Sequence, residues 1–245
     1  MITIEKILGK QRAWQAASAD DKSLISAIVF ESLAKCADAI AILSKNLGDI
    51  GYIWVSSESI PISELEENIQ RIEAKTGVSM PKVLVEFWKM IGGVSFVDLE
   101  TYQHVDFWGK HQIIAPKGFA DGLHVDACNK EWTAFICQDY VDWKTDQRQD
   151  ESEAFLLSLS PDGFHKDNIS GGTPYGVFAE SSWKPIWQYF EWSGTKHPVT
   201  ALTDPPDFLS YLRTTILECA GFPALLGTPA FDTIKEKLLE GVPIF

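Results

Sequence analysis

Apolar residues recur at helical spacing along the first part of the chain. Over residues 20–46 they return mostly every three to five positions, and Gly48 follows as a stop signal, which predicts one long helix or two short ones. A further helix is predicted to begin at Ser63, because Ser63 and Glu66 have the spacing of a capping box. Gly77 supplies the left-handed residue that ends this helix.

The stretch SMPKVLVEFWKMIGGV, residues 79–94, predicts the second helix of a helical hairpin. Pro81 suits the first helical position, where its missing N–H costs nothing. The apolar stripe of this helix comprises Val83, Leu84, Phe87, Trp88 and Ile91. Gly92 and Gly93 close the helix, whereas the glycines of a phosphate-binding loop open one. The glycine pair therefore marks a helix end and does not indicate a nucleotide site.

Downstream of the hairpin the pattern changes to short β-rich runs separated by turn residues. The runs cover residues 102–108, 123–127, 132–138, 154–160 and 175–181. Their length and spacing predict strands of an antiparallel sheet. Helices are predicted again after Asp204 and after Thr228. The order of elements therefore predicts an α+β fold in which helices pack on one face of an antiparallel sheet of about six strands, with extra helices at both termini.

The chain carries a net charge of −13, and the excess of acidic residues is unevenly distributed. Residues 96–153 hold 12 acidic and 5 basic side chains, a net charge of −7. Repulsion from phosphates argues against a nucleic-acid partner and favours a cationic protein surface. The net charge alone also allows a simpler explanation, in which the acidic residues only keep the protein soluble.

Composition indicates a cytoplasmic globular protein. Apolar residues make up 45% and charged residues 22%, and no apolar run approaches the roughly 18 residues of a membrane span. The N-terminal residues MITIEKILGKQRAW place charges where a secretory signal requires an apolar block. Four cysteines lie too far apart for a zinc knuckle and are predicted to be buried free thiols: Cys36, Cys128, Cys137 and Cys219.

Two His-Val-Asp triplets are the candidate chemistry of the chain. His104 and Asp106 form the first, and His124 and Asp126 form the second. In a strand, residues two apart share a face, so each triplet presents an imidazole and a carboxylate together, as a metal site requires. A hydrogen-bonded imidazole–carboxylate pair without a metal is the simpler interpretation. A metal-dependent enzyme using these four residues is therefore kept as an alternative, and no cofactor is predicted.

The segment LEENIQRIEAKTGVSMPKVLVEFWKMIGG resembles the N-terminal motif of the SUKH superfamily, which groups fungal cell-wall-synthesis regulators with bacterial immunity proteins. The motif positions are filled by Ile69, Ile72, Glu73, Gly77, Met80, Pro81, Phe87, Trp88, Gly92 and Gly93. Met80 stands where the family usually has leucine or isoleucine, and Gly92 where it usually has asparagine. Downstream, YGVFAESSWKP is similar to the family's late strand and DPPDFLSYL to its closing helix.

The resemblance covers about residues 63–218 and implies an α+β fold with a twisted, mostly antiparallel sheet and flanking helices. It divides the chain into three parts. Residues 1–62 are expected to form an N-terminal helical extension, residues 63–218 a SUKH-like core domain and residues 219–245 a C-terminal helical extension. The family has no shared catalytic residues, so the resemblance implies a protein that is not an enzyme. It implies a protein-binding module, such as an immunity protein that blocks a cognate toxin, or a regulatory scaffold of the same fold.

The expected binding surface lies where acidity and aromatic character coincide. The run DYVDWKTDQRQDESE, residues 139–153, is typical of a solvated loop or of an edge that faces a partner. Acidic side chains there would steer a basic toxin domain, such as a nuclease, and a tryptophan would supply the buried anchor. The predicted partner-binding residues are Asp139, Asp142, Trp143, Asp146, Asp150 and Glu151.

Overall fold

A computed structural model of the chain describes residues 18–77, 79–98, 100–114, 122–145 and 208–245, together with the backbone of five short strands between residues 156 and 196. Its helices are α1 (Ala19–Asp49), α2 (Ile62–Thr76), α3 (Lys82–Met90), α4 (Gln103–Lys110), α5 (Lys130–Thr145), α6 (Phe208–Arg213) and α7 (Pro229–Leu238). Helix α6 continues as a π-helical turn over Thr214–Glu218, and Pro223–Leu225 forms a 3-10 turn. In the part of the chain described, no helix has the length and apolar character needed to cross a membrane.

Three short strands form an antiparallel sheet beside these helices. They are β1 (Ser56–Glu58), β2 (Gly93–Ser95) and β3 (His124–Val125), with β2 in the centre. Further along, β4 (Leu156–Ser158), β5 (Tyr175–Phe178) and β6 (Pro185–Trp187) pair antiparallel with one another, as do β7 (Glu191–Trp192) and β8 (Thr195–Lys196).

The predicted fold class is wrong. The structure is mostly helical, with 65% of the described residues in helices. The sheet beside the helices has three strands rather than about six. The runs 102–108 and 132–138, predicted as strands, lie in helices α4 and α5. Their buried residues follow helical spacing, but a run of about seven apolar and aromatic residues does not distinguish the two periods. The runs 123–127, 154–160 and 175–181 do contain strands β3, β4 and β5.

The helical hairpin predicted over residues 63–93 is confirmed as α2 and α3. Gly77 ends α2 in the left-handed conformation, with a φ of 75°. The predicted capping box is wrong, because α2 begins at Ile62 after Pro61 and no side chain caps it. The turn is braced instead by Glu73, whose carboxylate accepts the N–H of Met80 at 2.7 Å. Glu73, the acidic residue of the motif, therefore fixes the turn between the two helices.

Gly92 joins the hairpin to the sheet at a point where no side chain fits. Its φ is 81°, and a Cβ built there would lie 1.9 Å from the carbonyl oxygen of Glu58 in β1. Any larger residue would force β1 and β2 apart, so this glycine sets the close approach of the two strands.

Helix α1 contributes its second half to the same core as the hairpin. It packs against α3 and α7, and Leu33, Leu43 and Leu47 are fully buried along it. The described part of the predicted N-terminal extension therefore shares its core with the central region. The boundaries at residues 62 and 218 stay predictions.

An aromatic cluster fills the space between the β1 side of the sheet and the C-terminal helices. Tyr52 contacts Trp54, Phe107, Trp108 and Phe222 at ring-centroid distances of 5.1 to 5.4 Å, mostly edge to face. Its hydroxyl donates a hydrogen bond to the carbonyl oxygen of Phe96. This hydrogen bond satisfies the hydroxyl, the one polar group of the nearly fully buried Tyr52 side chain. A buried hydroxyl without a partner would destabilise the fold.

The four cysteines are free, as the sequence predicts. Burial raises the pKa of Cys36, Cys128 and Cys219 to about 12, so these thiols stay protonated at neutral pH. Cys137 is only half-buried, and it lines a groove between α2 and α5 together with Arg71 and Lys75.

Candidate functional site

The polar face of the three-stranded sheet gathers three side chains with complementary chemistry. Ser95 of β2 and His124 of β3 are directly paired across the strands, and Asp126 follows two residues later. In extended chain such residues share a face. Val94 and Val125, the next pair in register, occupy the other face and are 2% and 1% exposed. One face of the sheet therefore packs into the core, while the other carries hydroxyl, imidazole and carboxylate groups.

These three side chains form a continuous hydrogen-bonded chain. His124 Nε2 lies 3.1 Å from Asp126 Oδ1, and His124 Nδ1 lies 3.0 Å from Ser95 Oγ. An ionised carboxylate only accepts hydrogen bonds, so it requires the proton of the neutral imidazole to be on Nε2. Nδ1 then carries a lone pair within reach of the Ser95 hydroxyl, whose single proton is also directed at the carbonyl oxygen of Val97, 3.2 Å away. The same-face pairing of His124 and Asp126 predicted from the sequence is confirmed.

The backbone around these residues is fixed by neighbouring elements. Trp88 of α3 donates its indole N–H to the carbonyl oxygen of Asp126 at 2.9 Å. The Ser95 hydroxyl oxygen accepts the N–H of Val97 at 3.3 Å and lies 3.2 Å from the carbonyl oxygen of Val97. Gly93 allows β3 to approach, because a Cβ built there would lie 2.7 Å from the backbone nitrogen of Ala127. Trp88 of the hairpin, together with Gly93, thus fixes the positions of Ser95, His124 and Asp126.

A cavity of about 300 Å³ opens beside this polar face. It is lined by Ser56, Ser57, Glu58, Gly93, Val94, Ser95, His124, Val125, Asp126 and Ala127. The carboxylate of Glu58 is held at its rim by the side-chain amide of Asn129, at 2.9 Å. The polar face beside the cavity therefore combines the hydroxyls of Ser56 and Ser95 with one imidazole and two carboxylates.

The first His-Val-Asp triplet does not have the predicted strand geometry. His104 and Asp106 lie in helix α4, where residues two apart point in different directions, so His104 is fully buried while Asp106 is exposed. His104 Nδ1 accepts the N–H of Asp98, and burial lowers the pKa of His104 against the opposing effect of the Asp98 carboxylate. Within the described ranges, no group of three or more His, Cys, Asp or Glu residues is placed to hold a metal ion.

The predicted partner-binding residues divide between a helix and a segment outside the described residues. Asp139, Asp142 and Trp143 lie in helix α5, not in the sheet-and-loop region expected from the sequence. Asp142 is exposed, and Asp139 and Trp143 are half-buried. Asp146, Asp150 and Glu151 lie outside the described residues, so their placement stays a prediction.

Helix α5 is most deeply buried in its first half, while Cys137, Tyr140 and Trp143 of its second half are half-buried against the core. Its start is capped by Asn129, whose side-chain oxygen accepts the N–H of Trp132 at 2.8 Å. Its buried residues are Trp132, Thr133 and Ile136, whereas no residue from 137 to 145 is fully buried. The second half therefore presents a continuous, partly exposed surface.

Tyr140, Trp143 and Lys144 form a cluster on that surface, and the sequence analysis named only Trp143 among the three. The rings of Tyr140 and Trp143 stack with centroids 5.6 Å apart. The ammonium of Lys144 lies 5.6 Å from the Tyr140 centroid and 5.2 Å from that of Trp143. The three- and four-residue spacing from Tyr140 would have revealed the cluster if the segment had been predicted as a helix.

Comparison with protein-family models, with curated proteins and with solved structures finds no match to this chain. The resemblance to the SUKH superfamily therefore stays a prediction. The sheet of about six strands expected from the sequence is not present in the described part of the chain, where the sheet beside the helices has three strands.

Proposed function

We propose that the chain is a cytoplasmic protein-binding module whose binding surface is the second half of α5 and the acidic residues that follow it. The observation that carries the proposal is the half-buried stack of Tyr140 and Trp143 on the part of α5 that also holds Asp139 and the exposed Asp142. Aromatic rings flanked by charge are the side chains that most often dominate binding energy at interfaces.

The aromatic pair is ordered before a partner arrives. Stacking on each other and under the Lys144 ammonium restricts both rings, and the Tyr140 hydroxyl lies 3.5 Å from the carbonyl oxygen of Thr76 in α2. Less side-chain freedom remains to be lost on binding, which favours affinity. The rings also have the apolar area needed for a desolvated contact at the centre of an interface.

The acidic side chains select the partner. Asp142 is exposed, and its carboxylate is oriented by the side-chain amide of Gln138 at 2.8 Å. With a net charge of −7 over residues 96–153, the region attracts a cationic surface and repels a polyanion. The proposed partner is therefore a basic protein domain, and the immunity function implied by the SUKH resemblance specifies it as a cognate toxin.

Co-expression tests the immunity function. Cells that express a toxin domain encoded next to this chain's gene should stop growing, and co-expression of the wild-type chain should restore growth. The Trp143→Ala variant should restore growth less well, because the aromatic anchor is lost. The exposed-residue variant Ile114→Ala should protect as the wild type does. Growth arrest that the wild-type chain leaves unchanged would contradict the immunity function.

A further inference from the structure

The hydrogen-bonded side chains of Ser95, His124 and Asp126 have the order of groups that nucleophilic catalysis requires. A hydroxyl contacts an imidazole at 3.0 Å, and the imidazole contacts a carboxylate at 3.1 Å. Both distances lie within the range over which a base removes a proton from a nucleophile and is oriented by a third group. Here the Asp126 carboxylate contacts Nε2 of His124, and the Ser95 hydroxyl contacts Nδ1. The roles of the two ring nitrogens are thus exchanged relative to the serine protease arrangement.

The hydrogen-bonded side chains border a cavity, although Ser95 and His124 are each only 9% exposed. Ser95, His124 and Asp126 all line the space of about 300 Å³ beside β2 and β3. This volume is at the small end of the range for ligand sites, so it suits a short acyl group. The oxygen of Ser95 is held by Val97, and Asp126 is held by Trp88, so both ends of the relay are fixed by backbone contacts.

The charge of the cavity restricts the substrate class. Its lining includes the carboxylates of Glu58 and Asp126. Two carboxylates repel phosphate esters and acyl groups that carry a negative charge. Uncharged or cationic carboxylic esters are therefore the substrates that this site admits.

We propose that Ser95 is a catalytic nucleophile that hydrolyses short carboxylic esters, with His124 as general base and Asp126 as its positioning residue. Ser95 Oγ bonds to the carbonyl carbon as its proton passes to His124 Nδ1. The carbon–oxygen bond to the leaving group then breaks, and His124 returns the proton to the departing alkoxide. Water, deprotonated by His124, attacks the acyl-serine and releases the carboxylic acid and Ser95. This activity is independent of the proposed protein binding and would correct the sequence-based expectation of a non-enzyme.

A fluorophosphonate probe tests the nucleophile directly on the full-length wild-type protein. Attack by Ser95 forms an oxygen–phosphorus bond, expels fluoride and transfers the hydroxyl proton to His124. We expect a single adduct that peptide mass spectrometry maps to Ser95. Heat-unfolded protein should not react. Because the mapping uses the wild-type chain, it does not depend on the folding of any variant, and folded protein without an adduct on Ser95 would overturn the proposal.

Hydrolysis of p-nitrophenyl acetate tests the relay with matched variants. Ser95→Ala should abolish turnover, whereas Ser63→Ala, which removes an exposed hydroxyl of helix α2 that does not line the cavity, should retain it. Asp126→Asn should lower kcat by roughly 100-fold and leave KM unchanged, because the carboxylate orients the base without touching the ester. Ser95→Ala protein that is folded by circular dichroism and turns over at the wild-type rate would overturn the assignment.

Discussion

Replacing Trp88 by alanine should destabilise the protein by about 3–5 kcal/mol, the range for removing a buried tryptophan side chain. Trp88 is 1% exposed, packs edge to face on Trp132 with centroids 5.4 Å apart, and donates its indole N–H to the carbonyl oxygen of Asp126. Alanine leaves a cavity between α3 and α5 and removes the donor of a partly buried carbonyl group. Urea denaturation monitored by circular dichroism measures the change in free energy of unfolding.

Two further variants separate the contributions of Trp88. Trp88→Phe retains much of the ring volume but removes the N–H, so it should cost less than the alanine variant, on the order of 1–3 kcal/mol. Ile114→Ala, at a side chain 81% exposed, should change the free energy of unfolding by less than about 0.5 kcal/mol. A Trp88→Ala variant as stable as Ile114→Ala would show that the hairpin does not pack as described.

Reversing the charge of Asp142, Asp146 and Asp150 together should weaken binding of the cationic partner by roughly 100-fold at low salt, because electrostatic steering and complementarity are both lost. Asp142 is exposed on α5, and the other two residues follow the helix in the sequence. The dissociation constant of the toxin domain encoded beside the gene, measured by biolayer interferometry, checks the effect. The difference from wild type should shrink as salt screens the charges.

The control variant changes net charge equally at another place. Glu218, Glu236 and Glu240 are exposed on the C-terminal elements, and lysine at all three makes the same change in net charge. We expect this control to bind within a few-fold of the wild type, because its charges lie away from α5. Equal losses in the two triple variants would indicate a general charge effect, and unchanged affinity in the Asp142 variant would remove this surface from the proposal.

The hairpin was predictable from sequence because its signals are local. Apolar spacing, Pro81 and Gly77 act within a few residues of where they stand, and α2 and α3 follow them closely. Helices α4 and α5 were mistaken for strands because their apolar runs are short and rich in aromatic residues, which suit both structures. The capping box failed because Pro61 starts α2 one residue earlier, which places Ser63 inside the first turn.

Of the contacts among Ser95, His124 and Asp126, the sequence predicts only the one between His124 and Asp126. His124 and Asp126 are two residues apart, so strand periodicity alone pairs them. Ser95 is 29 residues from His124 and joins it only through the register of β2 and β3. That register depends on the close approach at Gly92 and Gly93, a tertiary contact that spacing along the chain does not encode. The sequence predicts Trp143 as a binding residue but not its stacking with Tyr140, because that contact requires the segment to be a helix.

Hydrogen–deuterium exchange of the chain with and without its basic protein partner tests the central claim most directly. The account predicts slower exchange of the backbone amides from Cys137 to Thr145 on binding, because the partner covers the second half of α5. Amides of α7, which carries one of the control charges, Glu236, should exchange at the same rate in both states. Protection that falls elsewhere and leaves residues 137–145 unchanged would contradict the account.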